Sequence, residues 1–178
     1  MAAPAARQER RRWGSHRLDR RSIERLVDAA CVTGSDFVVD AGAGDGRITA
    51  LVRERGARVL AVELHPARVA ALRRRFADDD GVIVVRADAG DLRLPRRPFV
   101  VVANPPFAIT TALLRRLTHS ASALERAAIV VPTWQAARWA ATRSSATFAF
   151  AHAGHVPRTA FTPPPPRDAA IVVVRRRA

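Results

Sequence analysis

Apolar positions along this chain follow two rhythms: short valine-rich runs, and longer stretches with apolar residues three and four apart. The first predicts strands at 37–39, 58–63, 82–86, 99–103, 127–131, 147–151 and 169–174. The second predicts helices between them. Asp19 caps one in which Ile23, Leu26, Val27 and Ala30 share a face, and Thr33-Gly34 stops it. The next turns Ile48, Leu51 and Val52 inward. Pro66 opens a third, with Val69, Leu72 and Phe76 inward and Arg68, Arg73, Arg74 and Arg75 outward. Two more follow at 109–117, with Leu113, Leu114 and Leu117 inward, and at 135–143. Apolar strands alternating with helices predict an α/β fold: about seven strands, mostly parallel, with helices on both faces.

Within that pattern one stretch stands out. The run Phe99-Val100-Val101-Val102-Ala103 ends abruptly in Asn104-Pro105-Pro106-Phe107. Two prolines forbid both strand pairing and an immediate helix, so an amide and an aromatic ring are held at the carboxyl end of a buried strand. In open α/β sheets ligands bind at that end. Such a tip suits methyl transfer to an exocyclic amine. The Asn104 oxygen and the Pro105 carbonyl each accept one amino hydrogen, which favours a pyramidal nitrogen and aims its lone pair, without a strong base. Phe107 would stack on the base. Taken alone, the segment is equally a strand-ending turn.

Upstream, the strand at 37–39 runs into Asp40-Ala41-Gly42-Ala43-Gly44-Asp45-Gly46 and then a helix, the context in which a glycine loop approaches a ligand. Its spacing is not that of pyrophosphate binders, and Asp40 suits a cation rather than a phosphate. This favours a ligand with a charged amino acid moiety. Glu63 ends the next strand, where an acid can take ribose hydroxyls, and Asp88 stands just beyond the one after. Acids ending three successive strands, followed by Asn104, predict a cleft along one sheet edge. Late in the chain, Phe161 precedes four prolines whose loop is either a mount for that ring or a bare linker. Trp134 and Trp139 are expected to be packing residues.

Charge adds a partner. The 178 residues include 30 arginines, no lysine and 16 acids, a net charge of +14, which points to a polyanion, most simply nucleic acid. Residues 1–17 form a basic arm in which Arg7, Arg10, Arg11 and Arg12 are candidate RNA contacts or simply a solvated tail. Residues 18–178 form one domain. A single cysteine and five scattered histidines predict no disulfide framework and no metal site. No apolar run approaches a membrane span or follows the N-terminal arginines as a signal peptide would, so a cytoplasmic protein is expected.

These motifs, in this order, resemble the Rossmann-like class I methyltransferases that use S-adenosyl-L-methionine. More closely, the chain resembles the Erm family of 23S rRNA adenine-N6 methyltransferases over about residues 10–177. The resemblance implies that Asp40, Gly42 and Gly44 hold the cofactor, Glu63 its ribose, and Leu64, Asp88 and Ala89 its adenine. It implies that Asn104, Pro105, Pro106 and Phe107 are catalytic, Asn104 also touching the cofactor, and that Phe161 flanks the target base. Ser15-His16-Arg17-Leu18 departs from the family's opening segment yet keeps His16 and Leu18 as cofactor neighbours. Pro132-Thr133-Trp134 replaces a usual Gln and Glu, and Arg167-Asp168-Ala169 a usual Val-Asp-Ser.

A form without the family's small helical C-terminal domain is expected. The expectation is therefore a short, monomeric enzyme that methylates an adenine of 23S rRNA and confers macrolide–lincosamide–streptogramin B resistance. Its rivals are small-subunit rRNA dimethyltransferases, DNA adenine or protein glutamine methyltransferases, and a non-catalytic RNA-binding protein on the same fold.

Overall fold

The computed structural model describes residues 16–142 and 146–177. The candidate contacts Arg7, Arg10, Arg11 and Arg12, with most of the arm, lie outside the described residues.

In chain order the elements are β1 (Arg17–Leu18), α1 (Arg20–Ala29), β2 (Phe37–Ala41), α2 (Arg47–Glu54), β3 (Arg58–Glu63), α3 (Pro66–Arg75), β4 (Val82–Arg86) and β5 (Phe99–Ala103). Then come α4 (Thr110–Leu117), β6 (Leu124–Pro132), α5 (Thr133–Thr142), β7 (Phe148–Val156), β8 (Phe161–Thr162) and β9 (Ala169–Arg176). Seven strands form one sheet in the order β4-β3-β2-β5-β6-β9-β7. All neighbours are parallel except β9, which runs antiparallel to both β6 and β7. This is the doubly wound α/β sheet that the alternation predicts.

Alternate residues of the central strands feed two separate cores, as a two-residue period requires. Val38, Val100 and Val102 pack with α1 and α2 on one face, among them Leu26, Val27 and Val52. Val39, Val101 and Ala103 pack on the other with Leu113, Leu114 and Trp139 from α4 and α5. All five residues of β5 are buried, and exposure returns only at Asn104, just past its carboxyl end.

Local signals set the element ends. Asp19 caps α1 by accepting the Ser22 N–H at 2.7 Å, and the helix stops at Cys31, which takes a φ of 51°, before the predicted Thr33-Gly34. A Cβ on Gly46 would come within 2.7 Å of Leu72 Cδ2 and 2.9 Å of Phe76 Cε2, and its φ is +79°. Only glycine lets α3 close this tightly over the start of α2.

Two readings of the sequence change. Arg17, assigned to the arm, pairs with Thr162 in a two-stranded ribbon in which Leu18 lies opposite Phe161. β-structure therefore reaches one residue into the stretch assigned to the arm. Trp139 packs as expected, 5.2 Å from Phe150, but Trp134 is 56% exposed and is no packing residue.

Candidate active site

The sheet brings the predicted acids into one row. Strand order places Asp88, Glu63, Asp40 and Asn104 at or just past the carboxyl ends of β4, β3, β2 and β5, which are consecutive neighbours. The loop after β2 turns back at once: the N–H groups of Gly42 and Ala43 both donate to the Val62 carbonyl at 2.9 Å. Gly42 (φ +88°) lies so close to Pro105 that an added Cβ would stand 3.5 Å from its Cα. The glycine loop and the Asn-Pro-Pro-Phe tip thus pack side by side at the sheet edge where the sequence predicts a cleft.

Asp40 is fully buried at the base of that cleft. One oxygen, Oδ2, accepts the Thr49 hydroxyl at 2.6 Å, while Oδ1 has no hydrogen-bond partner among the described residues. Desolvation pushes its pKa up to about 7, against the opposing pull of the Thr49 bonds, with Glu63 and Asp45 adding repulsion. A buried carboxyl with an orphaned oxygen is short of a donor. It fits the ammonium of an amino acid moiety and would reject a phosphate.

Glu63 is almost as buried but is well satisfied. Oε2 accepts the Gly44 N–H at 2.9 Å, and Oε1 accepts those of Leu64 and His65 at 2.9 and 2.8 Å. A carboxylate offers about four acceptor positions, and three are used. One ribose hydroxyl fits without rearrangement; taking both, as expected, requires the Gly44 contact to loosen. Asp88 is exposed and caps the turn at Ala89–Asp91 through the Gly90 N–H at 2.8 Å. Ala89 is buried beneath it, and Leu64 is 36% exposed at the rim.

At the tip, the Asn104 Nδ2 donates to the His16 carbonyl at 2.8 Å. A carbonyl only accepts, so this contact fixes which way the amide faces and leaves Oδ1 as its spare acceptor. His16 is itself held, because its Nδ1 lies 2.8 Å from the Pro163 carbonyl and must carry the proton there. Its ring lies 6.2 Å from that of Phe107 at an angle of 29°. Phe161 sits edge-on to both rings, 6.4 Å from each, and is 3% exposed. The predicted ring therefore does not line the cleft: it is buried beneath Phe107 and His16 and supports them.

Sequence reasoning missed three supports. The His16 main-chain carbonyl has no sequence signature, since any residue carries one. Thr49 reaches Asp40 from α2 only because the loop turns back tightly. The third is a buried network behind Phe107: the Thr110 hydroxyl lies 2.8 Å from the Phe107 carbonyl and 2.5 Å from Gln135 Oε1, and Gln135 Nε2 donates to Thr111 at 2.6 Å. A glutamine on the inner face of a helix was its one visible signal.

The sequence pattern of the ribosomal RNA adenine dimethylase family matches residues 6–178. The chain belongs to that family. Among curated relatives, an rRNA adenine N-6-methyltransferase of Bacillus licheniformis is 30% identical over 92% of this chain and 61% of its own length. The mycinamicin-resistance protein MyrB of Micromonospora griseorubida is 35% identical over 90% of this chain and 53% of its own. The chain thus spans a little over half the length of these relatives. The crystal structure of the 23S rRNA methyltransferase ErmE superposes with a TM-score of 0.83 at 29% identity, covering 92% of this chain and 70% of that one. The dimethylase family is one of methyltransferases acting on RNA, and the α/β architecture expected from the sequence is the one that superposes on ErmE.

Proposed function

We propose that this chain transfers a methyl group from S-adenosyl-L-methionine to the N6 amine of an unpaired adenine in 23S rRNA, acting as a cytoplasmic monomer, and so confers macrolide–lincosamide–streptogramin B resistance. The observation that carries the reading is the Asn104 amide, pinned by the His16 carbonyl with Oδ1 left to accept. The names of the relatives support the substrate: an rRNA adenine N-6-methyltransferase, a mycinamicin-resistance protein and ErmE.

Each residue has a task in this scheme. S-adenosyl-L-methionine, when bound, supplies an electrophilic methyl on a sulfonium. Asp40 Oδ1 would pair with its ammonium, the spare position on Glu63 with a ribose hydroxyl, and Leu64, Asp88 and Ala89 would flank its adenine. Asn104 Oδ1 and the Pro105 carbonyl each accept one hydrogen of the target amine, which concentrates its lone pair on the face turned to the methyl. The His16 carbonyl that pins the Asn104 amide supports this reading, because a fixed acceptor costs the transition state little reorganisation. Phe107 stacks on the base, braced by His16 and Phe161. The base leaves its stack to get there, at a cost of a few kcal/mol that is least for unpaired adenines. Residues 1–15 act as a phosphate-binding arm through Arg7, Arg10, Arg11 and Arg12.

The experiment is primer extension with mass spectrometry on rRNA from cells with and without the gene. A new methylated adenine in 23S rRNA is expected. Modification confined to 16S rRNA would transfer the reading to a small-subunit dimethyltransferase, and unmodified rRNA would end it.

A further inference from the structure

We propose that Trp134 is a stacking platform for an unpaired RNA base beside the target adenine, with Arg158 and Arg167 as its phosphate partners. The inference rests on the reading of the chain as an RNA methyltransferase and names a second contact for that substrate.

Trp134 stands near the start of α5, directly after β6. β6 lies beside β5 and parallel to it, Ala103 opposite Ile129, so α5 begins at the same sheet edge as Asn104, one strand over. The ring is 56% exposed.

Its surroundings are built rather than loose. Asp168, just before β9, is a hub for three segments of that edge. Its carbonyl accepts the Thr133 N–H at 3.3 Å and the Thr133 hydroxyl at 3.0 Å, fixing the residue before Trp134. Its side chain accepts the Arg158 N–H at 2.8 Å through Oδ1, and Oδ2 lies 3.3 Å from His155 Nε2. Arg167 is the preceding residue. Arg158 and Arg167 are exposed, as are Pro163, Pro164 and Pro166 of the loop whose Pro163 carbonyl holds His16. Asp168, next in the chain to exposed Arg167, thus joins, through its main-chain carbonyl and its carboxylate, the residue before the exposed indole to the Arg158 main chain and His155.

The chemistry favours RNA over a protein partner. The exposed large apolar side chains among the described residues are Leu64, Ile83 and Trp134, which lie on three different segments of the chain. A lone exposed ring among arginines, on a chain of net charge +14, matches single-stranded nucleic acid, where bases stack on aromatics and the backbone meets cations.

The test uses the full chain and a ten-nucleotide oligouridylate, which offers bases and phosphates but no methylatable adenine. In a Trp13→Phe background, the remaining indoles are Trp134 and the buried Trp139. Oligouridylate should quench emission, and Trp134→Phe should abolish the quench while keeping most of the affinity. Trp134→Ala should weaken binding about tenfold, with melting temperature unchanged. Equal affinity and quench in all variants overturns the proposal. So does concentration-dependent self-association that Trp134→Ala abolishes, since the ring is then a protein contact. Wild-type protein that shows the Trp134 quench yet methylates no rRNA would sustain this surface while ending the 23S rRNA reading. Wild-type protein that methylates 23S rRNA, with Trp134→Ala leaving both affinity and KM for RNA unchanged, would do the reverse.

Discussion

The buried Asp40 makes a prediction that its surroundings quantify. Its pKa rises from an ordinary 3.8 to about 7, chiefly through desolvation. The native protein therefore holds this proton more tightly than the unfolded chain does. Below pH 4 both states are protonated and no penalty applies. Between pH 4 and 7 the unfolded state loses the proton first, so stability falls as pH rises and levels off above 7. A shift of about three units at 1.36 kcal/mol each gives roughly 4 kcal/mol. Asp40→Asn removes the titration, so its stability relative to wild type should rise by about that amount between pH 4 and 7.5, a difference that cancels the other titrating groups. Chemical denaturation of both proteins across this range measures it. Cofactor binding should carry the opposite signature. An ammonium beside Oδ1 needs the ionised carboxylate, so affinity for S-adenosyl-L-methionine should fall up to tenfold per unit below about pH 7. Calorimetry in buffers of different ionisation enthalpy should detect a proton released on binding. A stability difference independent of pH, together with equal affinity at pH 5.5 and 7.5, would refute the assignment of Asp40 as the buried counter-ion.

Two further outcomes follow from the loop and the arm. Gly46→Ala adds a Cβ against Leu72 and Phe76 at a φ of +79° and should cost about 2–4 kcal/mol by thermal or urea unfolding; a loss under ~0.5 kcal/mol would mean that α3 is free to shift. Removing residues 1–12 should flatten the salt dependence of RNA binding by up to ~0.7 in log–log slope for each phosphate that the arm neutralises, leaving cofactor affinity unchanged, whereas an identical slope would make the arm a solvated tail.

The strands were legible wherever apolar runs were long and bounded. β3, β4 and β5 match their predicted ranges, because buried parallel strands leave near-continuous valine-rich runs. Strands at the antiparallel side were underestimated: β7 extends to Val156 through exposed His152 and His155, where an edge strand tolerates polar residues and the pattern fades. The ribbon of β1 and β8 is two residues wide and held by a distant segment, below what periodicity reveals. In the site, Asp40, Glu63 and Asn104 could be found because each is a polar residue ending an apolar run. Phe161 was recognised but not its burial, since an aromatic beside prolines reads the same whether it lines a cleft or supports another ring. The orientation of Asn104 could not be read at all, for it depends on a main-chain oxygen 88 residues away.

That orientation is the centre of the account, and one substitution tests it. Under the proposed mechanism, Asn104→Ala removes an acceptor whose bond to the target amine strengthens as the nitrogen becomes pyramidal, so turnover should suffer far more than binding. Methyl transfer from labelled S-adenosyl-L-methionine to a 23S rRNA fragment is expected to fall on the order of 10²–10³-fold in kcat, with affinity for RNA and cofactor within a few-fold of wild type. Adenine methylation by Asn104→Ala at the wild-type rate would show that the end of β5 is only a turn.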